Sequence, residues 1–541
     1  MTNDGSPELG NETQVTFLGD FSKKLVTNTF FNLVGRSWSF LVTLLLTPYI
    51  LSRLDVGDFG IWILLGVFTS SFNLLDLGLG SSFVKYISAY HAHEDYDHIN
   101  QVVFSGLAFY GVFGVLLTLL GLALEQPLFR IFSIAGASAS DVYLLVLISC
   151  AITNIGAMFL SVFKGIQRMD KSNAIEIQLS IVSVIGTVLF LEVGFGILGL
   201  AMNSLISGVI AVFVTWSRLR RMMPKIRLGW HFNGKLLREM FTYGTKIQVS
   251  NFGSLVCFQI DKLIISRVLG VASVSFYEVG SRLTSFMRAV PLVMMSALIP
   301  ATSELGARND REGIVRTYYL ASKYVAMVAV AMVAYVVLEA RSLVNLWIGS
   351  GFEQSVMLIQ ILAIGYGANV LCGPASQTGA GVGRPEFNMR SILLLVIVNP
   401  VLSLWFVRDF GAAGAAAGTS LALILAAVYL LVTFHREYLR DSVWTIFRDV
   451  QMRPILSGIL ANLSVVGFHQ VLPHVVNLED VRYLIPIKLA LDFVIFAPLY
   501  VVLLITLRQI TAIDWRNFLG LATLGFELLR HPFRERVKIY Q

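Results

Sequence analysis

The stretch YEVGSRLTSFMRAVP, Tyr277–Pro291, places Glu278, Arg282 and Arg288 between two runs apolar enough to lie in a bilayer, VASVSF before it and LVMMSALIPATS after it. An arginine in that setting can hold an anion, above all a phosphate, whose oxygens match the guanidinium fork. A carboxylate there can bind a proton or a sodium ion. Arg36, Lys246 and Asp76 also fall inside apolar segments and belong to the same class. An ionised side chain at mid-bilayer costs about 2.5–3.5 kcal/mol on insertion scales, so such groups normally face a bundle interior or a watery cavity. Arg36 and Arg288 have no acidic neighbour at helical spacing and are the better candidates for an anionic ligand. Glu278 and Arg282 form an i,i+4 pair: they either neutralise each other or serve a ligand. Lys246 is open to both readings. Asp261 and Lys262 lie near the outer end of their segment, from which they can snorkel. Asp76 and Glu278 are the candidate ion-coupling carboxylates.

Helical phase shows which elements must position these groups. On the Tyr277–Pro291 helix, Glu278, Ser281, Arg282, Ser285 and Arg288 share one face, and Val279, Leu283, Phe286, Met287 and Val290 the other. The first apolar segment carries a stripe of Asn28, Asn32, Arg36, Ser39, Thr43 and Thr47. The seventh carries Thr242, Lys246, Ser250, Gly253, Cys257 and Asp261, and the second Thr69, Asn73, Asp76 and Gly80. A common cavity is the simplest destination for four polar stripes.

Composition agrees with a membrane setting. Of 541 residues 56% are hydrophobic and 14% charged, against roughly 25% charged in soluble domains. Fourteen apolar segments of spanning length lie near 25–51, 59–84, 101–124, 141–164, 175–193, 197–217, 238–267, 272–303, 317–340, 354–380, 390–408, 412–434, 454–472 and 483–507. With a cytoplasmic N-terminus, the inner loops and tails hold 28 Lys and Arg and the outer loops six, a positive-inside pattern that puts both termini in the cytoplasm. The net charge of +7 is then an excess of cytoplasmic-loop cations, and no stretch suggests nucleic-acid binding. The polar N-terminus lacks the pattern of a cleavable signal.

Cys150, Cys257 and Cys372 fall in apolar segments without metal spacing and read as core residues. HAHEDYDH, His91–His98, reads as a solvated loop more readily than as a metal site. There is no Walker A motif and no soluble segment large enough for a catalytic domain; neither a cofactor nor an enzymatic activity is expected. RDSVWTIFRDVQMRP before the thirteenth segment, and the tail from Trp515 to Lys538, mix aromatic and basic residues as interfacial helices on an anionic leaflet do.

The chain repeats. GIQRMDKSN, Gly165–Asn173, matches GVGRPEFNM, Gly381–Met389; FGILGLA from Phe195 matches FGAAGAA from Phe410; and ILSR ending at Arg53 matches IISR ending at Arg267. The offset spans six segments, an even number, so both copies share one topology. The expected organisation is a cytoplasmic tail (1–24), a six-helix lobe (25–217), a basic linker (218–237), a second six-helix lobe (238–434), a loop with two extra transmembrane helices (435–507) and a basic tail (508–541).

DLGLGSSFVKYIS, Asp76–Ser88, following VGDFGIW, resembles the polysaccharide-transport flippases, O-antigen flippases included, of the multidrug/oligosaccharidyl-lipid/polysaccharide exporter superfamily. QIDKLIISRVLGVASVSFYEVGSRL, Gln259–Leu283, resembles the start of their second lobe. The resemblance covers about residues 20–435. It implies an all-α, V-shaped fold of two six-helix lobes around a central cavity, with some fourteen helices in all. It also implies alternating access that moves undecaprenyl-diphosphate-linked glycans across a bacterial cytoplasmic membrane, with a polysaccharide polymerase as a further partner beside the membrane lipids. By position, Arg36, Lys246, Arg282 and Arg288 would hold the diphosphate, and Asn28, Asn32, Ser39, Asp76, Ser250 and Ser285 would line the cavity. Lys85 stands where many relatives carry arginine; charge is kept and bidentate geometry is not. Two alternatives stay open: a multidrug exporter of the same fold, against which the basic excess argues, and a non-transporting scaffold of a polysaccharide assembly complex.

Overall fold

The computed structural model describes residues 35, 38–74, 78–136, 138–227, 229, 232–471, 482–511 and 514. It is nearly all helix. In chain order the helices are α1 (Trp38–Arg53), α2 (Val56–Leu74), α3 (Leu79–Ala92), α4 (Tyr96–Phe132), α5 (Ala139–Gly165), α6 (Met169–Glu192), α7 (Gly196–Met222), α8 (Gly234–Leu269), α9 (Val271–Met295), α10 (Leu298–Ala307), α11 (Arg311–Leu338), α12 (Ala340–Trp347), α13 (Glu353–Leu371), α14 (Gly373–Gly381), α15 (Glu386–Phe434), α16 (Val443–Ile446), α17 (Met452–Val471) and α18 (Ile485–Thr506). Among the described residues ten spans are long and apolar enough to cross a bilayer, and two shorter apolar helices, α1 and the start of α2, stand beside them. Exposed Val112, Val115, Leu116, Leu119 and Leu120 give α4 a broad apolar face, the surface a lipid contact requires.

Proline and glycine decide where several apolar segments break. Pro300 has no N–H for the carbonyl one turn back, so the 272–303 segment divides into α9 and α10 around Ser296 and Ala297. Pro374, in the first turn of α14, divides the 354–380 segment in the same way. Pro291 leaves α9 continuous to Met295. The two expected helices over 390–434 run together as α15, kinked at Gly411, whose φ of 61° and ψ of −145° no other residue type adopts readily.

By packing, the chain divides into two compact units, residues 1–279 with 400–415, and residues 280–399 with 416–541. In the first, Leu79, Phe83 and Ile87 recur every four residues on α3 and meet Ile99, Val102 and Val103 of α4, Phe159, Val162 and Phe163 of α5, and Leu236 and Met240 of α8. Each fully buried apolar side chain stabilises by about 1.5–3 kcal/mol. Ser82 Oγ donates to the Met240 carbonyl (2.7 Å) where α3 crosses α8. Gly78, at the head of α3, has φ +75°, and a Cβ there would collide with the Gly244 carbonyl oxygen. Gly78→Ala therefore meets both left-handed strain, about 1–2 kcal/mol, and a backbone clash. A fall in monodisperse protein on detergent size-exclusion is the expected result; an unchanged profile would contradict this packing.

The His91–His98 loop ends in a helix cap. Asp95 accepts from His98 N (3.1 Å) and lies 2.7 Å from His98 Nδ1, and the His98 ring stacks on Tyr90 at 4.9 Å. The backbone bond from His98, more than its ring, holds the Asp95 carboxyl below the usual range.

In the second unit, α11 is the hub. Tyr318, Ala326, Phe387, Leu430 and Phe434 form one core, and Met327, Val330, Ala461, Val465, Phe496, Tyr500 and Leu504 another. The second core seats α17 and α18 on α11, reinforced by Tyr500 Oη donating to the Met327 carbonyl (2.8 Å) and Asn462 Nδ2 to that of Ala334 (2.9 Å). Burial alone would raise the Asp514 carboxyl. Hydrogen bonds from Lys323 Nζ (2.6 Å), Thr511 Oγ1 (2.6 Å), Thr511 N (2.7 Å) and Tyr324 Oη (2.9 Å) instead hold it well below the usual range. Trp444 and Phe447 are exposed on the short helical segment before α17. The tail from Trp515 lies outside the described residues.

The repeated motif folds alike in each unit. In the first, Gln167 has φ 59°, Arg168 N donates to the Phe163 carbonyl (2.9 Å), and Arg168 Nε donates to Asp170 Oδ1 (3.0 Å). In the second, Gly383 has φ 80°, Arg384 N donates to the Gly379 carbonyl (2.8 Å), and Arg384 Nε donates to Glu386 Oε1 (2.8 Å).

Candidate functional site

Two groups of buried or half-buried charges occupy the segments singled out in the sequence. The first joins the C-terminal half of α8 to the start of α9. Asp261, 1% exposed, accepts from Tyr277 Oη (2.8 Å) and from Ser403 Oγ (2.8 Å). Lys262 Nζ lies 2.6 Å from Glu278 Oε2 and donates to Gln259 Oε1 (2.7 Å), with both charged side chains 8% exposed. Neither Asp261 nor Lys262 snorkels, which corrects the expectation from their place near a segment end. Tyr277, Ser403 and Glu278 bring partners to them, so no reach towards water is needed. Glu278 is likewise engaged by Lys262, a partner on another helix that i,i+4 spacing does not reveal.

The second group surrounds Arg288 near the end of α9, in the second unit. Its Nη2 donates to Asn369 Oδ1 (3.2 Å), and its guanidinium carbon lies 4.9 Å from the centroid of the Tyr366 ring. Asn369 and Tyr366 sit three residues apart on α13, so one helical face presents both. Both are neutral, and together they orient the guanidinium plane. Arg282 and Ser285, on the same helix, are half-buried.

The first-segment stripe is only partly described. Ser39 Oγ donates to the Gly35 carbonyl (3.2 Å), Thr43 Oγ1 to that of Ser39 (2.9 Å) and Thr47 Oγ1 to that of Thr43 (2.5 Å). On α8, Thr242 and Thr245 bond the Arg238 and Phe241 carbonyls in the same way (2.9 and 2.7 Å). Asn28, Asn32, Arg36 and Asp76, and the side chains of Lys246 and Ser250, lie outside the described residues. Lys85 places its ammonium 3.9 Å from the Tyr243 ring centroid and 5.1 Å from that of Tyr86.

Against this geometry the comparisons can be set. A family model described as polysaccharide biosynthesis protein matches residues 50–357. The chain belongs to this family. As a polysaccharide biosynthesis protein it is 23% identical over 419 residues to a Shigella flexneri protein carrying the provisional name O-antigen transporter, over 75% of this chain and 96% of the relative. It is 21% identical to an uncharacterized membrane protein of Methanocaldococcus jannaschii, over 71% of this chain and 80% of the relative. Among solved structures, the lipid II flippase MurJ in an inward closed conformation aligns with a TM-score of 0.63 at 13% identity, covering 89% of this chain and 99% of MurJ. A multidrug resistance MATE family transporter of the MOP superfamily aligns at 0.59 and 17% identity, covering 78% and 96%. At such identities the structures show the fold, and it is the superfamily fold the sequence motifs point to.

Sequence reasoning passed over one cluster in this family member. Lys488 and Asp492 on α18 and His469 on α17 are held together with Glu339 at the end of α11. The signal was present in the chain: Lys488 and Asp492 stand one turn apart inside the fourteenth apolar segment. Their partner Glu339 lies 149 residues from Lys488, beyond any local pattern.

Proposed function

We propose that the chain is a flippase that carries a polyprenyl-diphosphate-linked oligosaccharide across the cytoplasmic membrane, by alternating access, for cell-surface polysaccharide export. The observation that carries this reading is Arg288: a cation within a membrane segment, oriented by a neutral amide and a neutral ring. Family membership and the name of the Shigella relative support the glycan; the MurJ-like fold supports a lipid-linked one. A diphosphate and its sugars cannot cross hydrocarbon unaided, because their hydrogen bonds to water would be lost. In the proposal Arg288, with Arg282, Arg36 and Lys246, takes the diphosphate in a hydrated cavity while the polyprenyl tail stays in lipid. Asn28, Asn32, Ser39, Asp76, Ser250 and Ser285 line the path. Asp76 and Glu278 are the proposed coupling carboxylates, Glu278 acting through its pairing with Lys262. Both termini are cytoplasmic, as the 28-to-6 distribution of Lys and Arg indicates.

The test is deletion of the gene in its own cell, followed by extraction of polyprenyl-linked saccharides and probing of the leaflet that holds them. The expected result is loss of the surface polymer with accumulation of one lipid-linked glycan on the inner leaflet. Loss of polymer with that glycan already on the outer leaflet would favour a scaffold of the assembly complex. An unchanged polymer with raised sensitivity to cationic drugs would favour a multidrug exporter.

A further inference from the structure

A cavity of about 330 Å³ at one end of the first unit is used by no step of the proposed transport. The ends of α3 and α7, the start of α4 and the α5–α6 turn enclose it. Its lining includes His91, Tyr96, Arg168, Met222, Met223 and Lys225, and no carboxylate of the described residues. Four candidate membrane spans meet here: α4 begins at Tyr96, α5 ends at Gly165, α6 begins at Met169 and α7 ends at Met222. The cavity therefore lies at the depth where hydrocarbon gives way to lipid headgroups.

The cationic part of this lining is held in place by its surroundings. Asp170 fixes the Arg168 guanidinium by accepting from Nε and Nη2 (3.0 Å each). The chain after α7 is pinned to Asn100 of α4: Asn100 Nδ2 donates to the Lys225 carbonyl (3.3 Å), and Arg227 N donates to Asn100 Oδ1 (3.0 Å). Met223 and Ile226, 7% and 1% exposed, anchor it on either side of Lys225. These anchors hold the backbone without the Lys225 side chain, whose ammonium lies 4.5 Å from the centroid of the Tyr96 ring. The linker from Arg218 to Lys235 carries six Lys and Arg and no Asp or Glu, so this stretch brings cations alone to the end of α7.

Two cations that line one small cavity repel each other, and an anion between them removes that repulsion. A phosphate group suits the pair, because its several oxygens accept from a guanidinium and an ammonium at once. Met222 and Met223 offer nothing to a phosphate; they suit the glycerol and first methylenes of a lipid. We infer that this cavity binds the phosphate of an anionic lipid headgroup, with Lys225 and Arg168 as its cationic contacts. A basic pocket at the ends of membrane helices draws such headgroups by charge, an attraction that salt weakens.

The full-length protein, delipidated in a neutral detergent and titrated with phosphatidylglycerol or phosphatidylcholine, tests this by native mass spectrometry. The wild type is expected to show a saturable site for phosphatidylglycerol and no comparable site for phosphatidylcholine. Lys225→Gln should weaken that site by about tenfold or more, the loss of one charge-assisted hydrogen bond. Lys225→Met, which keeps the stem beside Tyr96, should show the same loss and decides the matter if the glutamine variant does not fold. Lys235→Gln removes an equal charge from an exposed position in the same linker, outside the cavity, and should leave the affinity unchanged. Equal binding of the two lipids, unchanged affinity in the Lys225 variants, or an equal loss in Lys235→Gln overturns the inference. Calorimetry with inorganic phosphate separates the two sources of the anion. Saturable phosphate binding that Lys225→Gln abolishes, with no preference between the lipids, would make the occupant a soluble anion and overturn the lipid.

Discussion

Arg288→Ala is expected to cut surface-polysaccharide assembly by at least about tenfold at unchanged membrane abundance. A charge-assisted hydrogen bond is worth roughly 1.5–3 kcal/mol, and 1.4 kcal/mol is a factor of ten, so losing the anion's contact with this guanidinium spans about one to two decades. Arg288→Lys should recover part of the activity, since it keeps the charge and loses the planar fork that stacks on Tyr366 and bonds Asn369. The measurement is complementation of a deletion strain, with polymer normalised to protein in the membrane. The Arg36→Ala/Arg288→Ala double variant should be at least as defective. Normal polymer from that stably expressed double variant would remove both arginines from the site.

Lys262→Met should be the most destabilising single change in the first unit. It leaves Glu278 as a buried carboxylate deprived of its 2.6 Å partner, and breaking a buried pair from one side typically costs about 3–5 kcal/mol. Replacing both ends, Lys262→Met with Glu278→Met, should restore most of the folded yield, because a buried pair exchanged for apolar side chains is often neutral. Folded fraction in detergent, read by size-exclusion and thermal midpoint, checks this. A double variant no better than the single would show that the pair does not act as one unit. A rescued double variant also reports on coupling: if it still transports with a wild-type response to ion gradients, Glu278 is not the coupling carboxylate.

The helices were legible in the sequence because lipid demands long apolar runs, and proline and glycine mark their breaks, as Pro300, Pro374 and Gly411 do. Arg288 was legible because no acid stands one turn from it. Asp261 and Lys262 were misread as groups reaching for water because distance from a segment end says nothing of what packs there. Ser403, which satisfies Asp261, is 142 residues away. Glu339 and Lys488 escaped for the same reason. Local pattern reveals charges that lack a neighbour on their own helix, and tertiary packing alone reveals those that acquire one from another.

The threonines and serines of α1 and α8 carry a last consequence. Ser39, Thr43, Thr242 and Thr245 are exposed, and each has given its proton to the carbonyl one turn back. Outward they show lone pairs only. A surface of this kind solvates a sugar, whose many hydroxyls are donors, and offers nothing to the oxygens of a phosphate. In the proposed transport such a surface would suit the glycan of the headgroup rather than its diphosphate.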